Sequence, residues 1–243
     1  MNNILIVILN YNSSEDTLAL YNKLSDYQIL VIDNCSTTKE VKLLEDNILH
    51  SQLIINSKNL GYAGGNNQGI KYAIRKKIPY VLILNPDISI RPCDIEALLL
   101  KIAKTNNIAA VGPRICYRNQ PNKIYSDGGI VLKDKGFFTS HINYNRRLTE
   151  KLDNTESPSY VNGSVFLART SVFQQIGLFD EKFFLYFEET DWCLRAKKAN
   201  YDILVIPSIT AFHKESKKNE KYNFYMIRNR LLLASKFRHY HYR

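Results

Sequence analysis

The chain has 243 residues, 45% of them hydrophobic and 23% charged, and a formal net charge of +10. That length and balance suit one sizeable α/β domain, alone or with an appendage, and are those of an ordinary globular protein. No apolar run nears the ~18 residues needed to cross a bilayer, and the four cysteines (Cys35, Cys93, Cys116, Cys193) lack the paired spacing of a zinc site or a disulfide framework.

The start of the chain has neither a basic n-region nor a small-residue cleavage site, so residues 4–9 read as a buried strand. A cytoplasmic location with reduced thiols is the expectation. Ser13 or Ser14 caps a helix to about residue 24. A second strand at 28–32 ends in Asp33-Asn34-Cys35-Ser36, and a helix at 38–46 and a strand at 52–55 follow. The Gly-rich stretch 59–69 reads as a loop leading into a helix that ends near residue 77. A strand at 80–84 stops at Asn85-Pro86-Asp87, and Pro92 sits in the first turn of the next helix, where its missing N–H costs nothing. Residues 108–111 make a fifth strand. From 114 to 159 the pattern weakens into an irregular excursion around Asp127-Gly128-Gly129. Regular structure resumes with a strand at 160–168, interrupted by Asn162-Gly163-Ser164, then a helix at 188–199, a strand at 203–206 and a terminal helix from about residue 219.

Strands alternating with helices imply a mixed, mostly parallel sheet with helices on both faces. Ligands of such sheets bind beyond the carboxyl ends of the strands. The polar clusters at 10–12, 33–36, 59–67 and 85–87 all fall at those ends. Pro86 stiffens its turn and presents Asp87 outward, where a hard divalent cation wants oxygen ligands alongside substrate phosphates; the bland reading is an Asx turn. His213 follows the strand at 203–206 and, taken alone, reads more readily as a hydrogen-bonded structural histidine than as a functional one. Glu188, Glu189 and Asp191 crowd behind a run of aromatics. Desolvation and like charge raise a carboxylate there toward the range of a working base, although acids at a helix N-terminus also offset the macrodipole without any function. Arg195 lies one turn after Asp191 and pairs with it.

Taken together and in order, Asn10-Tyr11-Asn12, Asp33-Asn34-x-Ser36, Asn59-x-Gly61-x-x-Gly64-Gly65-x-Asn67, Asn85-Pro86-Asp87, Gly177-x-Phe179-Asp180-Glu181-x-Phe183-Phe184, Glu188-Glu189-x-Asp191-x-x-x-Arg195 and His213-x-x-Ser216 resemble family 2 glycosyltransferases of the GT-A fold, in particular the rhamnosyltransferase-like branch that builds bacterial surface polysaccharides. The resemblance covers residues 3–235. It implies a Rossmann-like nucleotide-sugar domain over 1–215 that takes a UDP- or dTDP-sugar. The implied donor-binding residues are Asn10, Asn12, Asp33, Ser36, Asn59, Gly61, Gly65, Asn66, Asn85 and Asp87. It also implies a divalent cation, Mg2+ or Mn2+, on Asp87 and His213. Asn162, Gly163 and Ser164 would line the sugar and acceptor pocket. Glu189 is the implied general base, with Asp191 second and Glu188 beside them, for an inverting transfer to a glycan hydroxyl, lipid-linked in most such pathways.

Residues 214–243 hold nine Lys/Arg against two Glu, so this tail carries +7 and the preceding 213 residues only +3. A basic body would have suggested nucleic acid; a basic tail suggests a surface-binding appendage, so no nucleic-acid partner is expected. Tyr222, Phe224, Tyr225, Phe237, Tyr240 and Tyr242 interleave with Arg228, Arg230, Lys236, Arg238 and Arg243. Such a tail either packs on the domain or faces an anionic membrane surface. A nucleotidyltransferase would need a Lys/Arg-rich site near the first loop, which residues 10–14 do not offer. A degenerate sugar-nucleotide binding module is the remaining alternative.

Overall fold

The structure, a computed structural model, describes residues 3–153, 157–214 and 219–238. Ser216, the expected domain boundary at 215/216 and the tail residues Tyr240, Tyr242 and Arg243 lie outside the described residues.

Strand β1 (Ile4–Asn10) begins the sheet because its alternate residues are all apolar. Ile4, Ile6 and Ile8 face one helical layer while Leu5 and Val7 face the other, as a strand covered on both sides requires. Helix α1 (Ser14–Lys23), strand β2 (Gln28–Asp33), helix α2 (Thr38–Glu45) and strand β3 (Leu53–Ile55) complete the first half. Helix α3 (Gly61–Arg75) crosses to strand β4 (Tyr80–Leu84), the short strand β5 (Ile88–Ser89) and helix α4 (Pro92–Ala103). Then come the long strand β6 (Ile108–Tyr117), β7 (Gln120–Ser126), and a hairpin of β8 (Gly129–Leu132) and β9 (Phe138–His141). Strand β10 (Val165–Arg169), helices α5 (Thr170–Ile176) and α6 (Glu188–Lys198), strand β11 (Asp202–His213) and helix α7 (Glu220–Phe237) end the described chain.

The main sheet runs β3-β2-β1-β4-β10-β6-β11-β5, with β7 paired to β6. Its first four strands are parallel, β10 is antiparallel to both β4 and β6, and β6 is parallel to β11. Residues of α1, α2 and α4 pack on one face and residues of α3, α5, α6 and α7 on the other.

Four expectations need correction. The Gly-rich stretch is helical from Gly61 onward. Its glycines serve close helix–strand packing, since a Cβ on Gly65 would stand 2.4 Å from the Leu9 side chain. The strand near 108–111 continues to Tyr117 and the one near 203–206 to His213, because the two pair over that whole length. The strand expected at 160–168 begins only at Val165, so Asn162-Gly163-Ser164 precedes it. The excursion after Arg114 is ordered β-structure, tied down by a buried ion pair between Arg114 and Asp127 at 2.7 Å, to which Asn143 also donates at 2.8 Å.

Helix α7 is part of the domain. Asn229, Leu233 and Phe237 are buried beneath it, and Lys236 pairs with Asp180 at 2.9 Å and Asp191 at 2.7 Å.

Candidate active site

Strand register assembles the site. β5 pairs antiparallel with the end of β11, Ile88 opposite His213, which sets the preceding Asp87 beside the imidazole. His213 Nε2 lies 3.4 Å from Asp87 Oδ2. Leu84 pairs with Val165, so the Asn85 amide donates to Ser164 O at 3.0 Å. The turn after β4 and the turn before β10 therefore meet at one edge.

Two cavities open there. The larger, about 920 Å³, is lined by Tyr11, Asn34, Asn59, Gly61, Tyr62, Asn85, Asp87 and Phe184 among others, with Lys214 and Lys221 at its wall. The second, about 320 Å³, shares Tyr62, Asn85, Asp87 and Leu185 with the first and is lined further by Asn162, Gly163, Ser164, Glu188, Glu189 and His213. The larger volume is of the size that binds a small ligand or cofactor.

Several expected donor residues lie behind this surface. Asn10 and Asp33 are fully buried, paired across β1 and β2 and joined by Asn10 Nδ2 to Asp33 Oδ2 at 2.8 Å. Asp33 Oδ1 also accepts from the Ser36 amide, and Ser36 Oγ accepts from the Asn12 amide. These four residues form the frame that shapes the first loop, while Tyr11 and Asn34 supply the cavity wall. Gly65 packs on Leu9, and Asn66 donates to Tyr62 O inside α3. Of the glycine-rich stretch, Asn59, Gly61 and Tyr62 reach the cavity. Gly61 has φ +72°, and a Cβ there would sit 2.4 Å from Phe184 O, so no other residue fits.

Glu188 and Glu189 open α6 on the wall of the second cavity. Each keeps one buried carboxylate oxygen without a hydrogen-bond partner among the described residues. Burial, then the Glu189 charge, pushes the Glu188 carboxyl well above its ordinary value. Burial pushes Glu189 from 4.5 to about 7. The Gly163 turn lies directly against the carboxylate, since a Cβ there would meet Glu189 Cδ at the ordinary contact distance of 3.5 Å. Tyr62 Oη donates to Gly163 O at 2.7 Å, fixing this turn.

Raised carboxyl pKa values make stability fall as pH rises. The folded chain holds these protons more tightly than the unfolded one, so stability declines from about pH 4.5 through about 7. Thermal melts at pH 5 and pH 8 are expected to show the lower Tm at pH 8. Glu188→Gln should recover part of that loss, by roughly 2–4 °C for each kcal/mol regained; an unchanged difference in the variant would contradict it.

Asp191, expected as the second candidate base, lines neither cavity. Its side chain is fully buried, bound by Arg195 at 2.8 Å and Lys236 at 2.7 Å. Arg195 also donates to the carbonyls of Ile176 at 2.6 Å and Leu178 at 2.7 Å, tying α6 to the end of α5. Asp191→Ala takes the carboxylate partner from Arg195 and leaves Lys236 with Asp180 alone, and is expected to cost about 3–5 kcal/mol of stability, read as a lower denaturant midpoint.

The segment entering α6 is strained. Phe184, Tyr186 and Phe187 have φ of +59°, +67° and +75°, at a cost on the order of 1–3 kcal/mol each. Asn229 of α7 holds it, its Nδ2 within 2.7–2.8 Å of the carbonyls of Phe183, Leu185 and Tyr186. Sequence reasoning missed Asn229; a polar residue on the inward face of an otherwise apolar helix stripe was the available signal.

The chemistry of the donor set suits a divalent cation. The Asp87 carboxylate and the His213 imidazole reach the same cavity side by side, leaving positions for phosphate oxygens. Burial lowers the His213 pKa, which keeps its ring neutral and able to ligate at neutral pH.

Residues 5–177 match the family model of glycosyl transferase family 2. The chain belongs to that family. It is 31% identical over 239 residues to the low-salt glycan biosynthesis hexosyltransferase Agl10 of Haloferax volcanii, covering 95% of this chain and 75% of that one. It is 28% identical to the N-acetylglucosaminyl-diphospho-decaprenol L-rhamnosyltransferase of Mycobacterium tuberculosis, covering 76% of this chain and 66% of the relative. The mannosyltransferase PcManGT of Pyrobaculum calidifontis, solved with GDP-Man and Mn2+, superposes with a TM-score of 0.62 at 13% identity; the match covers 93% of this chain and 60% of that one. That likeness concerns the fold, which is GT-A. As a family 2 glycosyltransferase, the chain acts in sugar transfer for glycan or polysaccharide synthesis.

Proposed function

We propose that this glycosyltransferase is inverting and metal-dependent, moving a sugar from a UDP- or dTDP-sugar to a hydroxyl of a lipid-linked glycan in cell-surface polysaccharide synthesis. The observation that carries the reading is the place of Glu189, on the wall of a cavity that shares Tyr62, Asn85, Asp87 and Leu185 with the donor-sized cleft, where burial raises its carboxyl pKa to about 7. Relatives support the substrate classes: one is named for a diphospho-decaprenol acceptor and another is solved with a nucleotide sugar and Mn2+.

The donor's nucleoside would lie against Tyr11 and Asn34, and its diphosphate near Asp87, with Lys221 adding positive charge and Lys214 partly offset by Asp16 at 3.8 Å. Asp87 and His213 would hold the cation, which when bound neutralises charge on the departing diphosphate. The sugar then points past Asn85 into the second cavity. Glu189 takes the proton of the acceptor hydroxyl as its oxygen bonds to the anomeric carbon. The bond from that carbon to the diphosphate oxygen breaks, and its electron pair leaves with the nucleoside diphosphate. Glu188, kept protonated by burial beside Glu189, adds no competing negative charge. Strain before α6, restrained by Asn229, fixes where Glu189 points.

Among the described residues no helix is long and apolar enough to cross a membrane. Peripheral attachment on the inner face of the cell membrane fits a lipid-linked acceptor and the basic tail. The test is a panel of UDP-, dTDP- and GDP-sugars, assayed for binding and slow hydrolysis with Mg2+, Mn2+ or chelator. Metal-dependent binding and turnover of one donor is expected. Tight metal-independent binding without turnover would assign the chain to a binding module instead.

A further inference from the structure

The catalytic cavity continues into a third cleft of about 380 Å³. Tyr125, Thr139, His141, Phe187, Tyr222 and Met226 wall both, whereas the third cleft shares no residue with the donor-sized cleft. The three spaces therefore follow one another, with Glu189 in the middle one. Whatever fills the third reaches Glu189 from the side away from the donor.

Its chemistry is uneven. Aromatic and apolar side chains line most of it, with Thr139, Ser140 and His141 between them, and Arg230 is the single charged residue among its described lining. Arg230 has no hydrogen bond or ion pair with any described residue, although the other basic residues of α7's middle and end, Arg228 and Lys236, have partners. An unpaired guanidinium in an apolar cleft offers a planar set of donors suited to phosphate.

The rim is apolar. Phe138 is 50% exposed, and Ile227 and Leu231 are 58% and 61% exposed one turn apart on α7, beside Arg230. Ile130, 43% exposed, pairs across the β8–β9 hairpin with Ser140, itself in the cleft wall. Of the eleven exposed large hydrophobic residues described, Phe138, Tyr144 and Ile227 line this cleft and Ile130 and Leu231 adjoin it, whereas Phe224 lines the donor-sized cleft. Exposed apolar surface gathered in this way marks a binding surface.

We propose that this cleft is the acceptor's phosphate-and-lipid subsite: the accepting sugar lies beside Glu189, its phosphate meets Arg230, and the hydrocarbon chain runs over Ile227, Leu231, Phe138 and Ile130. The inference rests on the proposed function and adds where the lipid-linked acceptor is recognised. The aromatic walls contact the sugar faces, and the apolar rim gains from covering its exposed surface with hydrocarbon. The charge complementarity belongs to the acceptor's own phosphate rather than to a bilayer headgroup, because Arg230 is half-buried in the cleft wall while its neighbours Ile227 and Leu231 are the exposed positions.

Two acceptors carrying the same sugar separate the possibilities: a short-chain N-acetylglucosaminyl-diphospho-prenol and methyl N-acetylglucosaminide. Arg230→Ala is expected to raise KM for the diphosphate acceptor about tenfold or more, leaving KM for the methyl glycoside and donor hydrolysis unchanged. Arg230→Lys should restore part of the loss. Binding of a short-chain prenyl diphosphate to the wild-type chain and to Arg230→Ala gives a readout independent of turnover, and weaker binding by the variant is expected. Equal KM changes for both acceptors, or unchanged prenyl diphosphate binding, would overturn the assignment. Loss of binding to anionic vesicles with unchanged acceptor KM would give Arg230 to the bilayer and overturn it as well. Absence of transfer by the wild-type chain to either acceptor, with prenyl diphosphate binding still dependent on Arg230, would count against the transfer reading and leave this subsite standing.

Discussion

Glu189→Gln is expected to lower kcat by about 10²–10⁴-fold, the usual contribution of a positioned base, while donor affinity stays near that of the wild type. Glutamine keeps the shape and hydrogen-bonding capacity of the side chain but cannot accept the proton of the acceptor hydroxyl. The pH profile carries the same signature. Burial raises Glu189 to about 7, so the unprotonated base grows in as pH rises and kcat/KM should climb through neutrality before levelling. That acidic limb should vanish in Glu189→Gln, whose residual rate comes from positioning alone. Asp191→Asn is the contrasting variant: its carboxylate is committed to Arg195 and Lys236, so it should lose stability while keeping the limb. A preserved limb in Glu189→Gln would move the base to another group.

Asp87→Ala is expected to remove metal-dependent donor binding. A cation in such a role contributes several kcal/mol, so a loss of about 10²–10³-fold in donor affinity at fixed Mn2+ is the expected size. Calorimetry with and without chelator measures it. The wild-type chain should bind weakly in chelator, and the variant should bind equally weakly in both conditions. His213→Ala removes one neutral ligand and should cost less. A metal-dependent difference that survives in Asp87→Ala would contradict the assignment of Asp87 as a ligand.

Much of this architecture was legible because its cause is local. Alternation in β1 and the apolar run of β4 announce strands, and the turn residues after them place polar clusters at the sheet edge. What escaped depends on contacts distant in sequence. Glycine counts as a loop former until a partner strand is known; Gly65 and Gly69 instead let α3 lie against Leu9 and Val7. Asp191 and Glu189 look alike in sequence, and only the helix's orientation turns one toward Arg195 and Lys236 and the other into the cavity. The cavity residues Tyr125 and His141 sit in a stretch without clear periodicity, and the Arg114–Asp127 pair that orders it joins β6 to the turn after β7. The tail illustrates the same limit: its apolar and polar positions do not separate by simple periodicity because α7 buries Asn229 and turns the half-buried Lys236 inward to hold the catalytic segment.

A proton NMR time course of the transferred sugar's anomeric signal, recorded with nucleotide sugar, cation and acceptor, tests single displacement at Glu189 most directly. A new glycosidic signal whose configuration is opposite to the donor's, formed as nucleoside diphosphate is released and lost in Glu189→Gln, is the result expected. A glycoside that keeps the donor's configuration, or nucleotide release without any glycoside, would contradict it.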